Sequence, residues 1–420
     1  MLKARLETLE KNEAYASYQA DLAFEKELNI LRNDFYYQMI DSEKTTALVD
    51  FMYKPLDTLS GDAYSARRID ENRTFYLLVD GMGKGVSASF TAIIMTSFIN
   101  HLIDKMIKYE SFSLDILIRE SMDFIQPILL DDEVLAIDYI CFDSYFSLLE
   151  YAKFAMPPFL LHDKDDNIIK LKSNNTPLSK WQPTYKINSY NIHNIEKFLF
   201  YSDGIVENST IYNDKPYAAY IEEDFKYSFT REEFKNRFYA AIKEQEDDLS
   251  LIFINSLDIR EETQIGDKIF KTTLDDVEYA TIWYEEIWKS FHDDMKEIYK
   301  AGVVFTELFM NAYEHGNLGI SATLKHKYLE EDIYFQKLVE LQDSCEKKIF
   351  VSVYKLKEFE NEYVITKICD EGEGFDTQML SRIFRNSKKF NGRGVFVSRK
   401  NSMGIYYNSQ GNCVLFLNKI

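Results

Sequence analysis

Aspartates set beside glycines recur at the ends of apolar runs in this chain, and such carboxylates are the groups that hold hard divalent cations. Asp62 follows Gly61 and opens the β-prone run Ala63 to Ile69, while Asp80-Gly81 closes the run Thr74 to Val79. Between them Asp70-Glu71-Asn72-Arg73 is a polar tetrad suited to a hairpin turn, so the runs read as adjacent strands whose carboxylates converge at one end of a sheet. Asp203-Gly204 ends a third apolar run from Phe198, and Asp247-Asp248 lead directly into a fourth that reaches Ile254. Mg²⁺ and Mn²⁺ prefer carboxylates plus waters, and two such ions a few Å apart can activate water for in-line attack on phosphorus.

A second constellation lies near the C-terminus. Ala301 to Gly316 reads as a helix stopped by its glycine, with Glu307, Asn311 and His315 at intervals of four and therefore on one face. A buried polar stripe of this kind costs stability unless partners or a ligand satisfy it. Tyr363 to Asp370 reads as a strand entering Asp370-Glu-Gly372-Glu-Gly374, and Asn391-Gly392-Arg393-Gly394 opens a helix from Val395 to Lys400. Glycines ahead of a helix start offer free backbone N–H groups to phosphate oxygens.

The elements that must position these groups follow from pattern. Residues 1 to 45 lack Gly and Pro and are rich in Glu, Lys, Leu and Ala, which predicts a continuous helix. Leu2, Leu9, Ala16, Ala23, Ile30 and Tyr37 recur every seven residues, a stripe that serves either a parallel dimer or a single helix lying on its own domain. From Thr45 to Leu257 strands enclose two helices, Phe90 to Ile107 and Leu114 to Leu130. Further strands are expected at Asp143 to Ala155 and Pro158 to His162, followed by a turn at Asp163 to Asn167 and a helix capped by Thr230 and Glu233. The charge-rich junction Asp258 to Asp267 separates this from a last domain starting near Lys268.

The 420 residues are 46% hydrophobic with 31 Phe and 29 Tyr, enough for more than one core. A net charge of −20 disfavours nonspecific binding to nucleic acid or an anionic membrane, both of which need positive surface. Cys141, Cys345, Cys369 and Cys413 form no CxxC, and no signal peptide is evident, which fits a reducing cytoplasm. The six histidines have no zinc-site spacing, so a metal here is expected on oxygen.

The order Ser60-Gly-Asp62, Asp80-Gly-Met-Gly-Lys-Gly85, Ala155-Met-Pro-Pro158, Tyr201-Ser-Asp-Gly204 and Asp247-Asp-Leu-Ser250 resembles the SpoIIE/RsbU branch of the PPM (type 2C) serine/threonine phosphatases. That resemblance implies an αββα-sandwich over residues 46–258, with Asp62, Asp80, the Gly81 carbonyl, Asp203 and Asp247 holding two Mn²⁺ or Mg²⁺ ions. Asp248 falls where relatives often carry Asn. Two departures stand out: Ser60 replaces the first glycine of the usual Gly-Gly-Asp, and Phe154-Ala-Met-Pro-Pro replaces Ala-Gly-His-Pro-Pro. Residues 268–420 are similar to the GHKL ATPase fold of RsbW/SpoIIAB-type anti-sigma-factor serine kinases, an α/β sandwich. The resemblance implies Glu307 as base, Asn311 on Mg²⁺, Asp370 on the adenine, and Gly372, Gly374, Gly392, Arg393 and Gly394 around Mg-ATP. The Lys/Glu/Leu-rich segment Ser321 to Lys348, expected as one helix, is an insertion in that pattern.

Together these imply an α+β protein: an N-terminal helical linker (1–45), a phosphatase and an ATP-binding domain. The implied function is partner-switching signalling in the bacterial cytoplasm. The implied substrate is phosphoserine or phosphothreonine on a STAS-type anti-sigma-factor antagonist, with a sigma factor or an upstream response regulator or sensor as further partners. The C-terminal domain could add serine kinase activity. The alternative reading is a non-catalytic, nucleotide-sensing scaffold that sequesters such a partner.

Overall fold

The computed structural model of the protein describes residues 18, 22–23, 26–35, 38–41, 46–83, 85–212, 215–257, 259, 261–377 and 401–420. The chain divides into two compact units, Met1–Phe35 with Asp50–Ile254, and Tyr36–Val49 with Asn255–Ile420. Strands β1 (Met39–Asp41) and β2 (Thr46–Lys54) precede the hairpin β3 (Asp62–Arg68) and β4 (Arg73–Gly81). Helices α1 (Val86–Lys108) and α2 (Leu114–Ile125) follow, then β5 (Val134–Asp143), β6 (Leu148–Phe154), β7 (Phe159–Asp163), β8 (Ile168–Leu171), β9 (Leu178–Ser179), β10 (Asn188–Asn191) and β11 (Ile195–Tyr201). Helices α3 (Asp203–Glu207), α4 (Ile221–Lys226) and α5 (Arg231–Ala241) lead into β12 (Leu249–Leu257).

In the first unit one sheet runs β10-β6-β5-β4-β3 and a second runs β2-β12-β11-β7-β8. Strands covered on both faces are apolar throughout rather than alternating, and β4 is buried from Thr74 to Val79 for that reason. The sheets meet through aromatic rings: Phe142 of β5 stands edge-on to Phe198 and Phe200 of β11, with centroids 5.0 and 5.9 Å away. Helix α1 packs on β3 and β4. Phe225, Phe234 and Phe238 of α4 and α5 join Met52, Leu199 and Phe253 in a core on the outer face of the second sheet. The layers are thus helix, sheet, sheet, helix. Among the described helices only α1 is long and apolar enough to cross a bilayer, and it buries Ala88, Ala92, Met95, Ile99 and Ile103.

The second unit adds β13 (Gln264–Lys271), α6 (Leu274–Lys289), α7 (Met295–Asn311), a π-helical turn (Ala312–Asn317), α8 (Ala322–Glu330), α9 (Tyr334–Gln342), β14 (Lys348–Glu358), β15 (Asn361–Asp370), β16 (Gly404–Tyr407) and β17 (Cys413–Lys419). Its antiparallel sheet has the order β13-β14-β15-β17-β16. Tyr284, Trp288, Phe305 and Phe309 of α6 and α7 share a core with Val364 and Phe416 of the sheet, with Tyr284 stacked on Phe305 at 4.2 Å.

Several sequence expectations change. The helix expected over residues 1–45 does not reach its end: helical residues run through Ile30, and Met39–Asp41 is strand. Residues 38–41 and 46–49 leave the linker for the second unit, where Gln38 donates to Thr377 and bridges Tyr407, and Asp41 pairs with Lys367 at 2.7 Å. Of the seven-residue stripe, Ala23 and Ile30 are half-buried, whereas the buried positions nearby are Glu27, Leu31 and Phe35. Leu2, Leu9, Ala16 and Tyr37 lie outside the described residues. The expected strand Asp143 to Ala155 is a turn followed by β6, and β5 before it has no counterpart among the expected strands. The junction ends early, because Gln264 already pairs with Tyr354. Gly316 does not stop its helix, which widens into the π turn through Asn317, and the insertion forms two helices, α8 and α9, rather than one. Cys369 and Cys413, 44 residues apart, are joined in a disulfide because strand register sets them directly opposite in β15 and β17.

Candidate functional site

The β3–β4 register places Asp62 directly opposite Asp80. Asp203 starts α3, and a Cβ on Gly204 would collide with the Asp248 carbonyl, so glycine there lets α3 close on the turn that carries Asp247. Asp62, Asp80, Asp203, Asp247 and Asp248 consequently line one cleft of about 320 Å³, together with Gly81 and Ala155. The glycine-flanked acids Asp62, Asp80 and Asp203, the Gly81 backbone, and Asp247 ahead of β12 therefore come together.

The electrostatics of this cleft are those of crowded anions. Asp62 is 3% exposed, and burial pushes its pKa well above the usual range, against the Ser202 and Ser250 hydroxyls and with the charges of Asp248 and Asp203. Burial, followed by the charges of Asp62 and Asp203, pushes Asp80 up to about 10. Asp62 Oδ2 is buried without a hydrogen-bond partner. An orphaned carboxylate oxygen among mutually repelling carboxylates suits a hard cation. No three His, Cys, Asp or Glu side chains among the described residues are already drawn together as a ligand set.

Asp248 plays a different part from Asp247. Its Oδ1 accepts the Leu56 N–H at 2.7 Å and its Oδ2 the Gly61 N–H at 2.6 Å, so both oxygens tie down the loop before β3. Ser60, in place of a glycine, is fully buried, and its Oγ accepts the Asp62 N–H at 3.1 Å. Ala155, also in place of a glycine, has φ +60°, a left-handed conformation costly for a side chain with Cβ.

In the second unit Asp370 ends β15 against the bare backbone of Gly316, where any Cβ would collide with the carboxylate. Gly372 N–H donates to Asp370 Oδ1 at 2.8 Å, and burial raises Asp370 to about 6. Glu307 and Asn311 lie one turn apart on α7, but neither they nor His315 form a buried stripe: the first two are half-buried and His315 is exposed. The π turn shifts the register, so the buried polar groups are Glu314 and Asn317 instead. Glu314 accepts from Lys325 and Tyr334 of the insertion. Asn317 donates to Thr272 Oγ1 and the Lys348 carbonyl and accepts the Glu371 N–H. A 3.6-residue period could not reveal either role. Gly374 has φ +77° and backs onto the Gln410 carbonyl. Gly392, Arg393 and Gly394 lie outside the described residues.

Residues 70–256 match the family model of stage II sporulation protein E (SpoIIE), a span of somewhat under half the chain. The matched span falls almost wholly within the first unit. No curated protein sequence matches the chain. Among solved structures, similarity extends to the RsbU and RsbW domains of Rv1364c from Mycobacterium tuberculosis, at 14% identity over 89% of this chain and 94% of that one, TM-score 0.45. The SiaA PP2C domain of Pseudomonas aeruginosa is 15% identical over 58% of this chain and 98% of its own, TM-score 0.47. The phosphatase domain and a regulatory fragment of SpoIIE from Bacillus subtilis are 15% identical over 50% and 63%, TM-score 0.43.

Proposed function

We propose that the first unit is a metal-dependent phosphoprotein phosphatase and the second a Mg-ATP-binding module, joined in a partner-switching regulator. The observation that carries the first assignment is the cleft into which Asp62, Asp80, Asp203 and Asp247 converge. These carboxylates, with the Gly81 carbonyl, would hold two Mn²⁺ or Mg²⁺ ions, which when bound supply an activated water and charge neutralisation at a phosphoryl group. The chain's own residues supply orientation: Asp248 and Ser60 fix the loop from which Asp62 projects, and Gly204 brings Asp203 to Asp247. The substrate class is phosphoserine or phosphothreonine on a STAS-type antagonist, a protein partner consistent with a net charge that disfavours nonspecific nucleic-acid binding.

The second assignment rests on Asp370 set beside Gly316 and Gly372, with Asn311 on the helix that leads into the π turn. Asp370 would accept from an adenine amino group, Asn311 would meet Mg²⁺ on the phosphates, and Glu307 would act as base for any phosphotransfer. Hydrolysis of a generic aryl phosphate with and without Mn²⁺ tests the first part. Metal-dependent turnover that falls by orders of magnitude in folded Asp80→Asn is expected, and unchanged turnover in that variant overturns the two-metal reading. Calorimetry with a non-hydrolysable ATP analogue and Mg²⁺ tests the second, with binding weakened in Asn311→Ala and retained in Glu307→Gln.

A further inference from the structure

The loop that presents Asp62 receives a carboxylate from far upstream in the chain. Glu27 lies in the helical residues 26–30 and is 1% exposed. Its Oε1 accepts the Ser60 N–H at 3.2 Å and the Tyr53 hydroxyl at 2.5 Å, while its Oε2 makes no hydrogen bond. The next N–H along, that of Gly61, goes to Asp248 Oδ2 at 2.6 Å, and the next, of Asp62 itself, to Ser60 Oγ at 3.1 Å. Three successive N–H groups are thus anchored, two of them on carboxylates from distant segments. Tyr53 extends the anchorage, its hydroxyl also lying 3.3 Å from the Asp62 carbonyl.

Burying a carboxylate with one oxygen unpaired is unfavourable by itself, so something must hold Glu27 in place. The segment that follows it is docked on the same unit at several points. Asn100 Nδ2 donates to the Ile30 carbonyl at 3.1 Å, Asn33 bridges Ala66 alongside β3, and Asp34 pairs with the buried Arg67 at 3.2 Å. Charge-assisted bonds from a carboxylate to backbone N–H groups are short and directional, and partners behind a metal ligand fix its orientation.

We propose that Glu27 is a positioning residue for Asp62: by anchoring Ser60 and Tyr53 it holds the loop in the arrangement that gives the acid cleft its affinity for a divalent cation. The inference rests on the reading of that cleft as a cation site. It gives the N-terminal segment a chemical role that ends on a named ligand candidate. Glu27 touches neither substrate nor cation and acts only through the loop.

The test is calorimetric titration of the full chain with Mn²⁺ alone, alongside melting temperature in metal-free buffer. Glu27→Ala is expected to weaken Mn²⁺ binding by about tenfold or more, the size seen when a partner behind a metal ligand is lost. Glu27→Gln keeps an acceptor for the Ser60 N–H and so recovers part of that loss, and it remains informative if the alanine variant does not fold. Tyr53→Phe weakens binding less, and adding it to Glu27→Ala costs little more, because both act through one contact. Wild-type Mn²⁺ affinity in the Glu27 variants, with or without a lower melting temperature, overturns the inference and leaves Glu27 a packing residue. Absence of Mn²⁺ binding by the unaltered chain overturns the cleft reading itself, and the inference with it.

Discussion

At the scale of single residues, neighbouring acids that look equivalent in sequence do different work. Both line the cleft, but Asp248 has both oxygens on the backbone of Leu56 and Gly61, whereas Asp247 accepts the Asp248 N–H on its Oδ1 at 2.9 Å. Asp247→Asn is therefore expected to lower metal-dependent turnover by orders of magnitude. Asp248→Asn, which sets an amide against a backbone N–H, should show a milder loss of rate together with a lower Tm, about 1–3 kcal/mol of stability. The reverse order in a paired rate and melting experiment would assign the roles the other way. Ala155 at φ +60° predicts a gain: Ala155→Gly should relieve about 1 kcal/mol of backbone strain and raise Tm by a few degrees. Asp370, lifted by burial to about 6, is protonated in the folded state over a range where the unfolded chain has already released its proton, from 3.8 upward. Its contribution to stability is therefore lost as pH rises from about 4 through about 6. Asp370→Asn should melt higher than the parent at pH 7, with the gap closing below pH about 4, even as ATP-analogue binding is lost.

At the scale of elements, what could be read in the sequence was whatever strand alternation and glycine placement dictate locally. The β3–β4 hairpin, the Thr230 cap, whose hydroxyl accepts the Glu233 N–H at 3.3 Å, and the acid-bearing ends of β4, β11 and β12 all follow from neighbours in sequence. What escaped depends on partners distant in sequence. Glu27 sits in an ordinary polar helix until the fold brings Ser60 to it, and Cys369 meets Cys413 only through strand register. The π turn is the clearest case, since one extra residue in the turn exchanges an expected stripe for Glu314 and Asn317. Glu314 accepts from Lys325 on α8 and Tyr334 on α9, so it fastens the insertion to the end of α7. Glu314→Ala leaves both donors without that acceptor and should lower stability by about 1–3 kcal/mol. Hydrogen exchange is expected to quicken across residues 322–342 ahead of the sheet. Protection unchanged there would mean that the apolar packing of Leu324, Leu338 and Leu341, with the bonds to Gln342, holds the insertion without Glu314.

At the scale of the whole molecule, each unit has its own core and each candidate site is built from residues of one unit alone. The acid cleft draws on Asp62 through Asp248 in the first, and the Asp370 group on Gly316, Asp370 and Gly372 in the second. A chain that both removed and added phosphate on one partner would merely consume ATP unless the two activities could be set separately. Separate construction makes that possible, and it gives a prediction. Asp80→Asn should abolish metal-dependent phosphatase turnover while the chain still binds a non-hydrolysable ATP analogue with unchanged affinity. Asn311→Ala should weaken that binding while turnover at saturating Mn²⁺ stays at the parent level. Both quantities are measured in both variants. A tenfold change, about 1.4 kcal/mol, in the ATP-analogue affinity of Asp80→Asn or in the turnover of Asn311→Ala would show that altering one site biases the other. Such a result would make nucleotide binding a second influence on the acid cleft, beside the anchoring of its loop by Glu27.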